Sequence, residues 1–253
     1  GISTADPVRG VPRGLWGFRR GPVVPPAARP GPHASGAKRN GPREPEEGRR
    51  CQAGTEASRK ARDVVNVLYL SYDGALDPLG RSQVIPYLEA LSRRGHRFDL
   101  ITFEKEERWK KEEERQELQA RLENEDIHWY PLPYHRRPSA LATAYDLFQA
   151  YRRALSLWPR RRWALIHSRS YPCTLVARWL RKRRGIPYLF DMRGFYPEER
   201  VDGGLWARNG FLFRLAKKRE EAFLREAAGV VTLTEASLPA LRELMARVGS
   251  RAL

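Results

Sequence analysis

A chain of 253 residues with 41% apolar content can bury a substantial core, which excludes a wholly disordered polypeptide. The formal net charge of +17 favours anionic partners, whether nucleic acid, acidic lipid or nucleotide phosphates, and does not choose among them. Two cysteines, Cys51 and Cys173, are too few for a disulfide framework or a cysteine zinc site, so a reducing compartment is expected, and no apolar run reaches the roughly 18 residues of a membrane-spanning helix.

Residues 1–62 carry 9 Pro, 10 Gly and 13 Lys or Arg against 5 acids, with no helical or strand period, and are expected to form a disordered basic tail. The folded domain is expected over 63–253. "VVNVLYLSY" (64–72) reads as a first strand covered on both faces. A helix follows over "SQVIPYLEALSRRG", with Ser82 as its N-cap and Gly95 as its stop, and then a strand over Arg97–Phe103. Lys105–Glu123 reads as one charged helix and Ile127–Tyr130 as a short strand. Ser139–Leu157 reads as a helix with an apolar stripe through Leu141, Tyr145, Phe148 and Leu155. "WALIHS" (163–168) is a strand, "CTLVARWLRKRRG" a helix ending at Gly185, and Pro187–Asp191 a strand. A helix over Arg208–Ala227, stopped by Gly229, a strand over Val230–Thr234 and a helix over Ser237–Arg247 complete the chain. The repeated helix, glycine, strand junction at Gly95, Gly185 and Gly229 implies βαβ units and an α/β fold, a Rossmann-like doubly wound parallel sheet.

In such a sheet ligands bind outside the carboxyl ends of the strands, so the informative loops are those that follow strands. They are "SYDGALDPLGRSQ" (71–83), "HSRSYP" (167–172), "DMRGFYPEERVDGG" (191–204) and "TLTEAS" (232–237), and all should open on one rim. Glycine there permits close backbone approach, and charge held in a partly desolvated cleft is not needed for sheet stability.

Taken in order, "VLYLSYDGALDPLGRSQVIPYLEALSRRGHRFDLITFE", "LIHSRSYPCTLVARWL", "GIPYLFDMRGFYPEERVDGG" and "AAGVVTLTEASLPALREL" resemble the N-terminal domain of a GT-B glycosyltransferase of family 4. The resemblance implies a retaining transferase of two Rossmann-like domains, in which this half mainly receives the acceptor and an absent C-terminal half mainly grips the nucleotide sugar. A chain holding half the cleft would be incomplete as a catalyst. The resemblance further implies backbone approach to donor phosphates or sugar at Gly74 and Gly80, with Arg81 nearby and Glu199 as a further substrate contact. Many members place a sugar-binding histidine two positions after the residue matched by His167. This sequence has Arg169 there, through a branch that uses arginine or an alignment shifted along the loop. Asp191 would orient an acceptor hydroxyl, and Arg193 would bind phosphate or carboxylate bidentately. Neither metal nor cofactor is implied.

The partners implied are a nucleotide-sugar donor and a glycan or lipid-linked acceptor, in a cytoplasmic protein. The basic helical segments "RWLRKRRG" (178–185) and "FLFRLAKKREEAF" (211–223) also suit the anionic inner face of a membrane. The alternatives are a non-catalytic binding or regulatory domain and a nucleic-acid-binding protein. Nucleic acid is not expected, because the basic charge is scattered over several helices. His96, His128 and His135 are isolated in sequence and offer no metal-ligand spacing.

Overall fold

The computed structural model describes residues 65–137, 139–250 and 252. The expected tail at 1–62 lies outside these residues. Six strands form one parallel sheet: β1 (Asn66–Ser71), β2 (Arg97–Glu104), β3 (Ile127–Pro133), β4 (Leu165–Arg169), β5 (Tyr188–Met192) and β6 (Gly229–Thr232). Their order is β3-β2-β1-β4-β5-β6, the doubly wound arrangement whose switch point lies between β1 and β4. The expected fold class is observed.

The helices are α1 (Ile85–Ser92), α2 (Glu106–Trp109), α3 (Glu112–Glu123), α4 (Ser139–Arg161), α5 (Ser170–Arg184), α6 (Tyr196–Asp202), α7 (Phe211–Glu226) and α8 (Leu238–Arg247). They cover both faces of the sheet. Alternation along β1 shows why two cores form: Val67 and Tyr69 face one way, Leu68 and Leu70 the other. On the first side Val84, Ile85 and Leu88 pack with Leu118 and Leu122 of α3. On the second, Leu147, Ala150 and Ala154 of α4 join Val176 and Leu180 of α5, Phe223 and Leu224 of α7, and Leu241 and Leu244 of α8.

Several expectations need correction. The helical run before α1 begins at Pro78, and Gly80–Val84 forms a π-helical turn leading into it. Ser82 is therefore not an N-cap, and its hydroxyl donates instead to the Pro78 carbonyl four residues back, at 2.7 Å. The charged helix is broken at Lys110 and Lys111 into α2 and α3. Gly95 and Gly185 do adopt the left-handed backbone, with φ of 96° and 74°, but Gly229 opens β6 and α7 leaves its last turn through an extended Ala227. Most of the expected stripe on α4 faces outward: Leu141, Tyr145 and Phe148 are 71%, 53% and 51% exposed, whereas Leu155 is half-buried against the second core, and the helix buries Ala142, Leu147, Ala150 and Ala154. Leu147, Ala150 and Ala154 of α4 pack into the second core with Val176, Ala177 and Leu180 of α5, and that face is buried in preference to the one with the larger side chains.

Strand β3 extends past the expected Tyr130 through Pro131 and Pro133. It is an edge strand, and Tyr134 N–H donates inward to the Glu104 carbonyl at 3.0 Å. By strand alternation the N–H groups that the two prolines lack would have pointed away from β2, so the ladder loses nothing.

Candidate functional site

The register of the sheet assembles the site. Tyr69 lies beside His167 and Ser71 beside Arg169 across β1 and β4, and Arg169 lies beside Asp191 across β4 and β5. Because side chains two apart share a face, His167 and Arg169 project together, next to Asp191. All three are almost fully buried, at 4%, 3% and 4% exposure. His167 stacks on Tyr69 with ring centroids 4.4 Å apart and meets the edge of Tyr87 from α1 at 5.6 Å.

Arg169 is the centre of a charged cluster. Its Nε lies 3.3 Å from Asp73 Oδ2, its Nη2 donates to Gln83 Oε1 at 2.7 Å, and its Nη1 lies 3.8 Å from Asp191 Oδ2. Arg193 Nη2 donates to the same Gln83 oxygen at 2.6 Å, and its Nη1 lies 3.5 Å from Asp191 Oδ1. His167 Nε2 is 3.5 Å from Asp191 Oδ2, too long for a strong hydrogen bond and close enough for electrostatic attraction. Burial opposes the charge on Asp191, yet His167 and the guanidinium groups of Arg193 and Arg169 outweigh it and hold the carboxyl below its ordinary range. Burial, followed by the nearby Asp191 charge, pushes the Tyr69 hydroxyl well up, so it stays protonated.

Asp73, Gln83, Arg169 and Arg193 line a cleft of about 910 Å³, with Tyr196 and Arg200 of α6 on its far wall. The Arg200 guanidinium lies over the Tyr196 ring at 4.6 Å from its centroid. It has no ion-pair partner among the described residues. The cleft opens where strand order reverses, and its basic side chains can grip an anion bidentately.

The first loop is shaped from within. Glu104 accepts from Ala75 N–H at 2.7 Å, Leu76 N–H at 3.2 Å and the Thr102 hydroxyl at 2.6 Å. A Cβ on Gly74 would sit 2.6 Å from Glu104 Oε2, and one on Gly80 would sit 2.0 Å from the Gly74 carbonyl oxygen. Both glycines thus answer a packing demand that leaves Gln83 aimed at the two arginines.

The structure brings Arg169, Asp191 and Arg193 together. Gly74 and Gly80 are buried in the loop that flanks them. Arg81 points elsewhere, to Glu114 of α3 at 2.8 Å. Glu199 is exposed and folds back over Gly194, where a Cβ would lie 2.0 Å from its Oε1. Sequence reading did not single out Asp73, Gln83 or Arg200, and no local pattern marks them. His135, isolated in sequence, is in fact held by buried Asp146, through its ring nitrogen Nδ1 at 2.6 Å and its backbone N–H at 3.1 Å. Tyr72, on the cleft wall, donates to the same carboxylate at 3.1 Å.

A second network braces the far wall. Lys217 of α7 bonds Glu198 of α6 at 2.8 Å and also pairs with Glu220, whose other oxygen accepts from Tyr171. Burial pushes the Glu220 carboxyl up against the opposing pull of Lys217 and Tyr171. Burial works against the Lys217 charge, and the two glutamates more than offset it. The Tyr171 hydroxyl also lies 3.3 Å from the Gly194 carbonyl oxygen, which sets the network beside the loop carrying Arg193. Among the described residues no group of acids, histidines and cysteines could hold a metal ion.

Residues 83–251 match the glycosyl transferase 4-like domain, and the chain belongs to that family. Among solved structures it is similar to sucrose-phosphate synthase of Thermosynechococcus elongatus, at 14% identity and a TM-score of 0.50, covering 71% of this chain and 45% of that one. It is also similar to HepE of Anabaena, solved with UDP and glucose, at 15% identity and a TM-score of 0.42, covering 74% and 42%. The chain therefore spans less than half the length of these two proteins. No curated protein matches it.

Proposed function

We propose that the chain is the acceptor-side half of a retaining glycosyltransferase that moves a sugar from a nucleotide-sugar donor to a glycan or lipid-linked acceptor. The observation that carries this reading is the buried Arg169 and Asp191 pair, with Arg193 beside it, at the switch point of a family 4-like domain. Arg169 and Arg193 stabilise negative charge as the nucleotide diphosphate departs, and Asp191, kept ionised, orients the acceptor hydroxyl. Gly74 and Gly80 let the first loop lie close to the sugar or phosphates, and Arg81 and Glu199 act from the periphery. The partner domain supplies most of the donor grip.

Among the described residues no helix is long and apolar enough to cross a membrane. Peripheral contact with an anionic inner membrane face, in the cytoplasm, belongs to the same proposal and is supported by the exposed Arg181, Lys182, Arg183 and Arg184 at the end of α5.

The test is sugar transfer by the 253-residue chain with and without a family 4 C-terminal domain supplied in trans. Turnover only in the combined sample, lost in Arg169→Met and Asp191→Asn, is the expected result. Full turnover by the 253-residue chain alone would overturn the division of labour.

A further inference from the structure

Beside the charged cleft lies a second hollow of about 450 Å³, walled almost wholly by apolar groups. Leu147 of α4, Leu175 and Trp179 of α5, and Leu212 and Leu215 of α7 form its sides. Its floor is Phe223, which is fully buried. The two hollows are continuous: Tyr171, Pro172, Tyr196, Trp206 and Leu212 line both. Leu212 and Leu215 are 53% and 40% exposed and Trp179 38%, so this trough is open along its length. Exposed apolar groups around a concave surface mark a ligand or partner, since a solvated helix face has no need of them.

The two ends differ in charge. At the cleft end stand Arg200, with no carboxylate partner among the described residues, then Arg193 and Arg169. Along the trough the charged exception is the exposed Arg219, and Thr143 adds a hydroxyl. An occupant that satisfies both ends carries an anionic head and an apolar tail. A soluble glycan would leave the trough wet and the leucines exposed.

The geometry points to an acidic amphiphile as the acceptor: a phosphate-bearing head seated at Arg200, which has no ion-pair partner among the described residues, and its hydrocarbon chain laid in the trough between α4, α5 and α7. This inference rests on the transferase reading and narrows its acceptor to one class. The chain end emerges past Trp179 and Leu215, and the sugar-accepting head is held at the carboxyl ends of β4 and β5. Burial of the tail supplies affinity, and Arg200 supplies orientation.

Calorimetric titration of the 253-residue protein with straight-chain alkyl phosphates of increasing length, all below their micelle concentrations, tests it, with inorganic phosphate as the reference probe. Affinity should tighten by about fourfold per added methylene until the trough is full. Leu215→Asp should flatten that dependence, and Leu212→Asp provides a second variant at a still more exposed position. Arg200→Gln should weaken every chain length by the same factor, about tenfold or more, and leave the slope intact. Affinity independent of chain length, a slope unchanged in both leucine variants, or sedimentation showing the trough closed by a second copy of the chain would each overturn the inference. The transferase reading fails separately. Equal kcat/KM on soluble and alkylated acceptors with the second domain supplied removes the trough and keeps the transferase, whereas length-dependent binding without any sugar transfer keeps the trough and removes the transferase.

Discussion

Asp191 carries its charge in a place where burial alone would forbid it, and the cost is met by three cationic or polar neighbours that the sheet register delivers. Since its folded carboxyl titrates below the ordinary range, its stabilising effect is present above the unfolded pKa and is lost as pH falls through the folded one. Asp191→Asn should therefore cost about 1–3 kcal/mol at neutral pH by leaving Arg169 and Arg193 short of a partner, and the gap to the parent should close in strong acid. Urea melts at pH 7 and at pH 2.5 measure both. Gly80 is a different case, a residue defined by what it lacks. With the Gly74 oxygen only 2.0 Å from its would-be Cβ, Gly80→Ala forces the loop apart and should cost about 1–3 kcal/mol in the same melts. It should also loosen Gln83 from both arginines. Little of this was legible locally. Arg169, Asp191 and Arg193 could be placed on the rim because they end strands, but Gln83 meets them across 86 and 110 residues of chain, a relation only the folded sheet creates.

At the scale of elements, α6 shows how a tertiary tie can make a helix. "YPEERVD" is seven residues long, too short to hold itself, and the sequence gives it charge and a proline at its start in place of a periodic apolar face. Besides the buried Pro197 and the packing of Tyr196 on Tyr171 and Trp206, what ties it down is Lys217, reaching from α7 to Glu198 while also pairing with Glu220. Lys217→Met should leave two carboxylates without their cation, and hydrogen exchange across 196–202 should accelerate at least tenfold, which a loss of about 1.4 kcal/mol would produce. The effect should shrink at pH 4, where the raised Glu220 carboxyl is protonated more readily. The strands were readable because continuous β-rich runs and glycine stops are local signals. The outward face of α4 was not, because Leu141, Tyr145 and Phe148 have the spacing of a core stripe, while the face that packs in the core is the one carrying Leu147, Ala150 and Ala154.

For the molecule as a whole, the parallel order places every strand-end loop on one rim, so distant segments meet there without any local motif. The two margins of the sheet are less alike. One ends in the four-residue β6, and the other ends in β3 with Pro131 and Pro133 at alternate outward positions. An extended peptide approaching the second half of β3 finds two successive donors missing, so that stretch is a poor template for further pairing. Pro131→Thr with Pro133→Thr would restore those donors next to exposed backbone, and light scattering at high concentration should rise with time while the parent stays clear. The prolines thus guard that margin against edge-to-edge pairing, and the rim at the strand ends, on a different side of the sheet, stays free to receive a ligand.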